Sequence, residues 1–195
     1  MLSKLEIKRQ VFHLLAGLIF VALIYFDILN SLITGIVIIV AFAVSFIGKR
    51  YKVPIIYNLL KQLDRPKDLR TLPGKGSIFY LVGVYIVLLL FEKDVAMACI
   101  MILAIGDSIG PLIGQYGSIK HPTSKKKFLE GVIAGMIVAG LGAALFVSPL
   151  EASLAAVSAM IAEGINLKIG SHTFDDNIIM PLVAGVVIWM IRYLA

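Results

Sequence analysis

Seven apolar stretches, at roughly 10–28, 29–48, 75–92, 95–116, 129–148, 150–167 and 177–194, take up most of this 195-residue chain. Each is close to the ~20 residues a helix needs to cross the hydrocarbon core of a bilayer. Backbone in lipid has to satisfy its own hydrogen bonds, so such stretches fold as helices. Only 15% of the residues are charged, against about 25% in soluble domains. The chain is therefore expected to be all-α: a polytopic membrane protein of one domain, residues 1–195, with about seven transmembrane helices. The first stretch is too long for a signal-peptide core and lacks a small-residue cleavage site, so it reads as a retained first span.

Charge sorts along this division. With the N-terminus cytoplasmic, every basic residue except Lys93 and Arg192 falls on the cytoplasmic side, the side where lysine and arginine accumulate. Asp27, Glu92, Asp94 and Glu151 fall at the external ends. Asp64, Asp68, Asp107, Glu130, Glu163, Asp175, Asp176 and the three histidines gather at or near the cytoplasmic face. A transporter would more often place polar groups at the midplane or on both sides. Within the basic stretch 49–74, the segment YKVPIIYNLLKQL spaces its apolar residues helically and is expected to lie in the interface as an amphipathic helix. The single cysteine, Cys99, excludes an internal disulfide and a zinc cluster.

The segment Gly106–Gly131, GDSIGPLIGQYGSIKHPTSKKKFLEG, concentrates the unusual chemistry. An acid inside an apolar run, Asp107, is expensive unless it meets a cation, and marks a functional site by default. Mg²⁺ is a fitting cation, because it takes one or two carboxylates together with phosphate oxygens. Gly110 and Gly114 suit either close helix packing or close approach of a polyphosphate, and Gly117 starts a loop. Lys126 and Lys127 neutralise phosphate or attract anionic headgroups. They precede Glu130 and Gly131 at a helix start, where carboxylates and phosphates are both favoured.

Other candidates surround this segment. RTLPGKG, with Arg70 and Lys75, is a basic turn opening a helix and suits an anion. Glu163 lies in the sixth stretch, either as a contact between helices or as a metal ligand. Asp175, Asp176 and Asn177 precede the seventh stretch. One of the three can be a simple helix cap; Asp176 is favoured to face the site, as a metal ligand or a base, with Asn177 on the substrate. Glu6, Arg9 and His13 share one helix face, with His13 as a candidate substrate contact. No P-loop or dinucleotide fingerprint is present.

These residues resemble the CTP-dependent polyprenol kinase family, which includes dolichol kinase, phytol kinase and the CTP-dependent diacylglycerol kinases. Its central motif is close to D-x-x-A-x-x-x-G-x-x-x-G, eight residues, then K-K-T-x-E-G. Asp107, Gly114, Gly117, Lys126, Lys127, Glu130 and Gly131 occupy the matching positions. Gly110 stands for the alanine and the two later glycines are one residue closer to each other; Phe128 stands for the threonine, which removes one possible hydroxyl contact to phosphate. The resemblance implies phosphoryl transfer from CTP to the hydroxyl of a membrane lipid, giving a lipid monophosphate and CDP. Asp107, Asp176 and Glu163 or Glu130 would hold Mg²⁺ on the triphosphate, and Arg70, Lys75, Lys126 and Lys127 would offset its charge, with Gly114, Gly117 and Gly131 near the nucleotide. A carboxylate would take the alcohol proton. The partners implied are the bilayer, a lipid alcohol and CTP, with no nucleic acid and with homo-oligomerisation open.

Two other readings stand beside this one. A CTP-dependent cytidylyltransferase would need the same nucleotide face, although its long S-x-x-K-R-x-x-x-x-K-D signature is not in the sequence. A small transporter or structural membrane protein would use the acids and lysines only to set topology. The small size favours a prokaryotic plasma membrane over a eukaryotic internal one.

Overall fold

The computed structural model describes residues 1–51, 54, 58, 60–61, 64–122, 124–165, 168–169, 172–173 and 175–194. The described helices are α1 (Lys4–Tyr25), α2 (Ser31–Tyr51), α3 (Pro66–Thr71), α4 (Lys75–Leu90), α5 (Lys93–Gly114), α6 (Leu129–Ala143), α7 (Pro149–Ile165) and α8 (Asp176–Leu194). Two short antiparallel hairpins interrupt them: β1 (Lys120–His121) with β2 (Ser124–Phe128), and β3 (Lys168–Ile169) with β4 (His172–Thr173). The hydropathy pattern did not anticipate these hairpins, since their strands are too short and too polar to carry a period. The expected interfacial helix falls largely outside the described residues.

Local sequence explains most boundaries. Ser3 caps α1 by accepting from the Glu6 amide at 3.2 Å, and Asn30 caps α2 through Ile33, each satisfying an otherwise orphaned donor. Pro66 opens α3, where its missing N–H costs nothing. Gly74 precedes α4 with φ of 76°, a backbone that side chains adopt only under strain. Its amide donates to Asp64 Oδ2, and the Ser45 hydroxyl donates to the Pro73 carbonyl, so this turn is tied to two neighbouring segments. Burial pushes the Asp64 carboxyl above the usual carboxylate range, against the pull of the Gly74 amide.

The helices pack around α5, which touches α1, α4, α6, α7 and α8. Every residue from Val95 to Gly106 is buried. The outer faces of α1 and α2 remain apolar and exposed, at Leu15, Ile19, Leu32, Ile36, Ile39 and Phe46 among others. Such a surface suits hydrocarbon rather than water. Seven helices stand where the seven apolar stretches lie. Four of them, α1, α2, α5 and α8, are long and apolar enough to cross a membrane by length and composition. The helices α4 and α6, of 16 and 15 residues, are apolar but shorter, and α7 carries Glu151 and Glu163 within 17 residues.

The two ends of the bundle differ. At one, Arg192 meets Glu151 and Asp94 at 2.7 Å and Glu92 at 3.3 Å, and Lys93 meets Asp27. The Arg192 pairs tie the end of α8 to α7 and the start of α5, and the Lys93 pair ties the start of α5 to the turn between α1 and α2. The other end holds Glu6, Arg9, His13, Lys75, Asp107, Lys127, Glu163 and Asp176.

Candidate active site

Two cavities, of about 530 and 600 Å³, open at that second end and share Glu6, Gln10, Arg65, Asp107 and Asp176 as walls. The first runs inward between α1, α2, α4 and the start of α8. It is polar at its mouth, with Arg9, Arg65, Asp68 and Lys75, and apolar at depth, with Phe12, Ala16, Phe20, Val37 and Leu81. The second lies between the start of α1, the end of α5 and β2. Its walls include Gly110, Pro111, Gly114, Lys127 and Glu163. Asp107 and Asp176 sit where the two meet.

Each of these side chains is held by its element. Asp107 is two turns from the end of α5, facing His13 of α1, with Oδ2 3.6 Å from Nε2. The Ser108 hydroxyl donates to the Gln10 carbonyl at 3.1 Å and fixes α1 against α5 at this level. Lys127 reaches from β2 to the end of α7, donating to Glu163 Oε1 at 2.6 Å and to the Glu163 carbonyl at 3.1 Å. Arg9 and Arg65 both grip Glu6, at 3.0 and 2.9 Å; partial desolvation pulls the Arg65 guanidinium down, but hydrogen bonding and charge from Glu6 hold it above its ordinary value although the side chain is more than half exposed. Asn177 donates to Asp175 Oδ1 at 2.7 Å; Asp175 and Asp176 both line the first cavity, and Asp176 also lines the second. Pro111 and Pro181 lie four residues beyond Asp107 and Asn177. Neither proline can donate the usual helical bond, so both carbonyls at the site lack that partner.

Charge in the two cavities runs opposite to the whole chain. Among the described residues, Glu6, Asp64, Asp68, Asp107, Glu163, Asp175 and Asp176 face Arg9, Arg65, Lys75 and Lys127, although the protein carries a net +6. Asp176 lies in the field of Lys127, Asp107, Glu163 and Asp175. An excess of carboxylates in a confined space calls for a cation.

Several residues picked out in the sequence lie elsewhere. Arg70 is exposed on α3 and lines neither cavity; Arg65 takes the place expected of it. Glu130 accepts from the Ser118 amide at 2.7 Å and the Ile119 amide at 3.0 Å, stapling the loop that follows α5. Gly131 is buried against α5. A Cβ there would fall 2.2 Å from the Gly110 carbonyl oxygen and 2.6 Å from Gly114 Cα. A Cβ on Gly117 would strike Glu130 and Phe128. These two glycines and Glu130 therefore shape the α5–β2–α6 junction rather than the cavity wall. Gly114 does both, lining the second cavity and packing on Gly131. Lys75, His13 and Asn177 line the first cavity. Lys126 lies in β2, with its side chain outside the described part. The sequence reading placed no role on Gln10, Arg65 or Tyr80. Only the helix face shared by Glu6, Arg9 and His13 hinted at this wall.

No family model matches the chain, and no solved structure matches it. Curated proteins do. It is 29% identical over 189 residues to an uncharacterised protein of Methanocaldococcus jannaschii, covering 94% of this chain and 92% of that one. It is 26% identical over 221 residues to CTP-dependent diacylglycerol kinase 1 of Eremothecium gossypii, covering 95% of this chain and 67% of that one. It is 26% identical over 135 residues to the probable chloroplastic phytol kinase of Triticum aestivum, covering 60% of this chain and 44% of that one.

Proposed function

This chain belongs to the CTP-dependent polyprenol and lipid kinase family, and from that premise we propose that it transfers the γ-phosphoryl group of CTP to the hydroxyl of a membrane lipid at the junction around Asp107. The lipid oxygen bonds to the γ-phosphorus, the bond from that phosphorus to the bridging β–γ oxygen breaks, and CDP leaves. The observation carrying this reading is that Asp107 and Asp176 wall both cavities at once, so a ligand in each would meet there. The second cavity, with Lys127 and the small Gly110–Gly114 face, suits the triphosphate. The first, polar at the mouth and apolar at depth, suits a lipid whose tail stays in hydrocarbon.

Phosphoryl transfer demands mostly positioning and charge neutralisation. Lys127, set by Glu163, and Arg9 and Arg65, set by Glu6, offset phosphate charge. Asp176 takes the alcohol proton as the new bond forms. The donor set fits Mg²⁺: the acids are hard oxygen ligands, and among the described residues no three His, Cys, Asp or Glu groups could hold a metal by themselves. A cation there would be held by Asp107 together with phosphate oxygens, an arrangement Mg²⁺ favours, which leaves Asp176 free to act on the alcohol. When bound it supplies neutralisation of the triphosphate. Glu163 is occupied by Lys127, so it serves as the positioning residue of that lysine rather than as a metal ligand. CTP is a soluble substrate, so this end of the bundle faces the cytoplasm, in keeping with the sorting of lysine and arginine and with a cytoplasmic N-terminus.

The test supplies the purified protein in vesicles with a lipid alcohol and CTP labelled at either the α- or the γ-phosphate. Label from the γ position on the lipid supports the kinase. Label from the α position would make it a cytidylyltransferase, and no transfer would leave a topological role.

A further inference from the structure

One face of α5 floors the second cavity. Asp107, Gly110, Pro111, Gly114 and Gln115 follow the i, i+3, i+4, i+7, i+8 spacing of a single helical stripe, and all five line that cavity. Gln115 caps α5 with its backbone still helical, at φ −62° and ψ −18°, so the stripe reaches it without a break. At 1.5 Å per residue, Gln115 stands about 12 Å from Asp107 along the axis. The Asp107 end is charged, with Lys127, Glu163 and Asp176 in the walls beside it. The other end is apolar, walled by Leu2 and, beside Gly114, by Phe128. Gln115 sets a carboxamide among them. Between the two ends the floor carries only glycine and proline, so a polyphosphate and its sugar can lie close to the backbone.

The carboxamide is held in one orientation. Its Oε1 accepts from the Leu2 amide at 3.1 Å, and its Nε2 donates to the Leu112 carbonyl at 3.0 Å. A half-turn about the last side-chain bond would set NH₂ against N–H and oxygen against oxygen, losing both bonds. As it stands, one lone pair on Oε1 and one hydrogen on Nε2 are uncommitted. Gln115 is half-buried and lines the cavity. It therefore offers a ligand an acceptor and a donor side by side, in an order that does not change.

That order complements an amino group next to a ring nitrogen. Cytosine carries this pair on its edge, a donor and then an acceptor. Uracil carries the reverse, a carbonyl and then a ring N–H. Adenine repeats the cytosine order on a larger base, so CTP against UTP is the comparison that isolates the amide. We infer that Gln115 reads the base of the nucleotide, and that its fixed carboxamide selects cytosine over uracil. This rests on the kinase reading above, with the γ-phosphate at Asp107 and the rest of the triphosphate and the ribose along the glycine floor. It adds a base subsite at the end of the cavity farthest from the chemistry.

The test compares the parent protein with Gln115→Met in mixed micelles that contain both dioleoylglycerol and phytol, with γ-labelled CTP or γ-labelled UTP as donor. Methionine keeps the length of the side chain and removes both polar atoms. The parent is expected to favour CTP. Gln115→Met is expected to lower the CTP-to-UTP ratio of kcat/KM by about tenfold or more, the discrimination a two-point contact to a base supplies. A role confined to tying Leu2 to α5 would slow both donors alike and leave the ratio unmoved. Should Gln115→Met fail to fold, Gln115→Glu keeps an acceptor for the Leu2 amide and puts a second acceptor where the donor was, and it is expected to lower the same ratio. Equal use of CTP and UTP by the parent, a preference for UTP, or an unmoved ratio in the folded variant would overturn the inference and leave the kinase standing. Label on the lipids from neither donor would remove both.

Discussion

Lys127 and Glu163 form a two-point link between β2 and the end of α7: the ammonium donates to the carboxylate at 2.6 Å and to the backbone carbonyl of the same residue at 3.1 Å. The Glu163 side chain is only 4% exposed. Removing one partner of such a pair leaves the other buried without compensation, at a cost of about 3–5 kcal/mol. Lys127→Met is therefore expected to lower the melting temperature in detergent and to abolish turnover. Lys127→Met combined with Glu163→Gln is expected to regain much of the stability and none of the turnover. Thermal unfolding and phosphoryl transfer, measured on the same preparations, check this. Recovered activity in the double variant would take Lys127 out of the site.

Arg65 and Arg70 make a sharper comparison. They lie five residues apart in one basic segment and both are exposed, yet Arg65 walls both cavities and is bound to Glu6, while Arg70 lines neither cavity. Arg65→Ala is expected to raise the KM for CTP and to lower kcat, because a guanidinium that offsets phosphate charge also acts in the transition state. Arg70→Ala is expected to leave both close to parental. Steady-state kinetics on the two variants decides the matter, and the opposite pattern would restore the assignment made on sequence alone.

The junction of α5 and α6 depends on Gly131. A methyl group there would sit 2.2 Å from a backbone oxygen on α5, and backbone has no rotamer with which to yield. Gly131→Ala is expected to push the helices apart and to cost about 1–3 kcal/mol, as overpacking does. It is expected to lower activity in proportion to the folded fraction. A stable but inactive Gly131→Ala protein would instead point to a direct contact with nucleotide.

What was legible beforehand follows from these particulars. Apolar length located the helices, and the cost of an acid in an apolar run singled out Asp107. Hydropathy does not say which way a helix turns or which distant segments meet. The pairing of Glu6 with Arg65 spans 59 residues and has no local signature. Tyr80 sits in the run FYLVGVYIV and reads as one more aromatic in a span. Glu130 looked like a site residue because it opens a helix beside lysines, but its nearest donors are the amides of Ser118 and Ile119, brought back by a hairpin too short to predict. Glycine spacing left two readings open for Gly110 and Gly114, and the coordinates give Gly114 a place in both, packed on Gly131 and lining a cavity.

The account stands most directly on a comparison of two carboxylates from the same motif. Asp107→Asn and Glu130→Gln are inserted into vesicles, and the transfer of γ-label from CTP to lipid is measured in each beside the parent. Loss of a carboxylate at the reacting centre is expected to slow Asp107→Asn by about 100-fold or more with the protein still inserted and folded, while Glu130→Gln, whose partners are loop amides, keeps turnover near the parental rate. Parental turnover in Asp107→Asn would contradict the account.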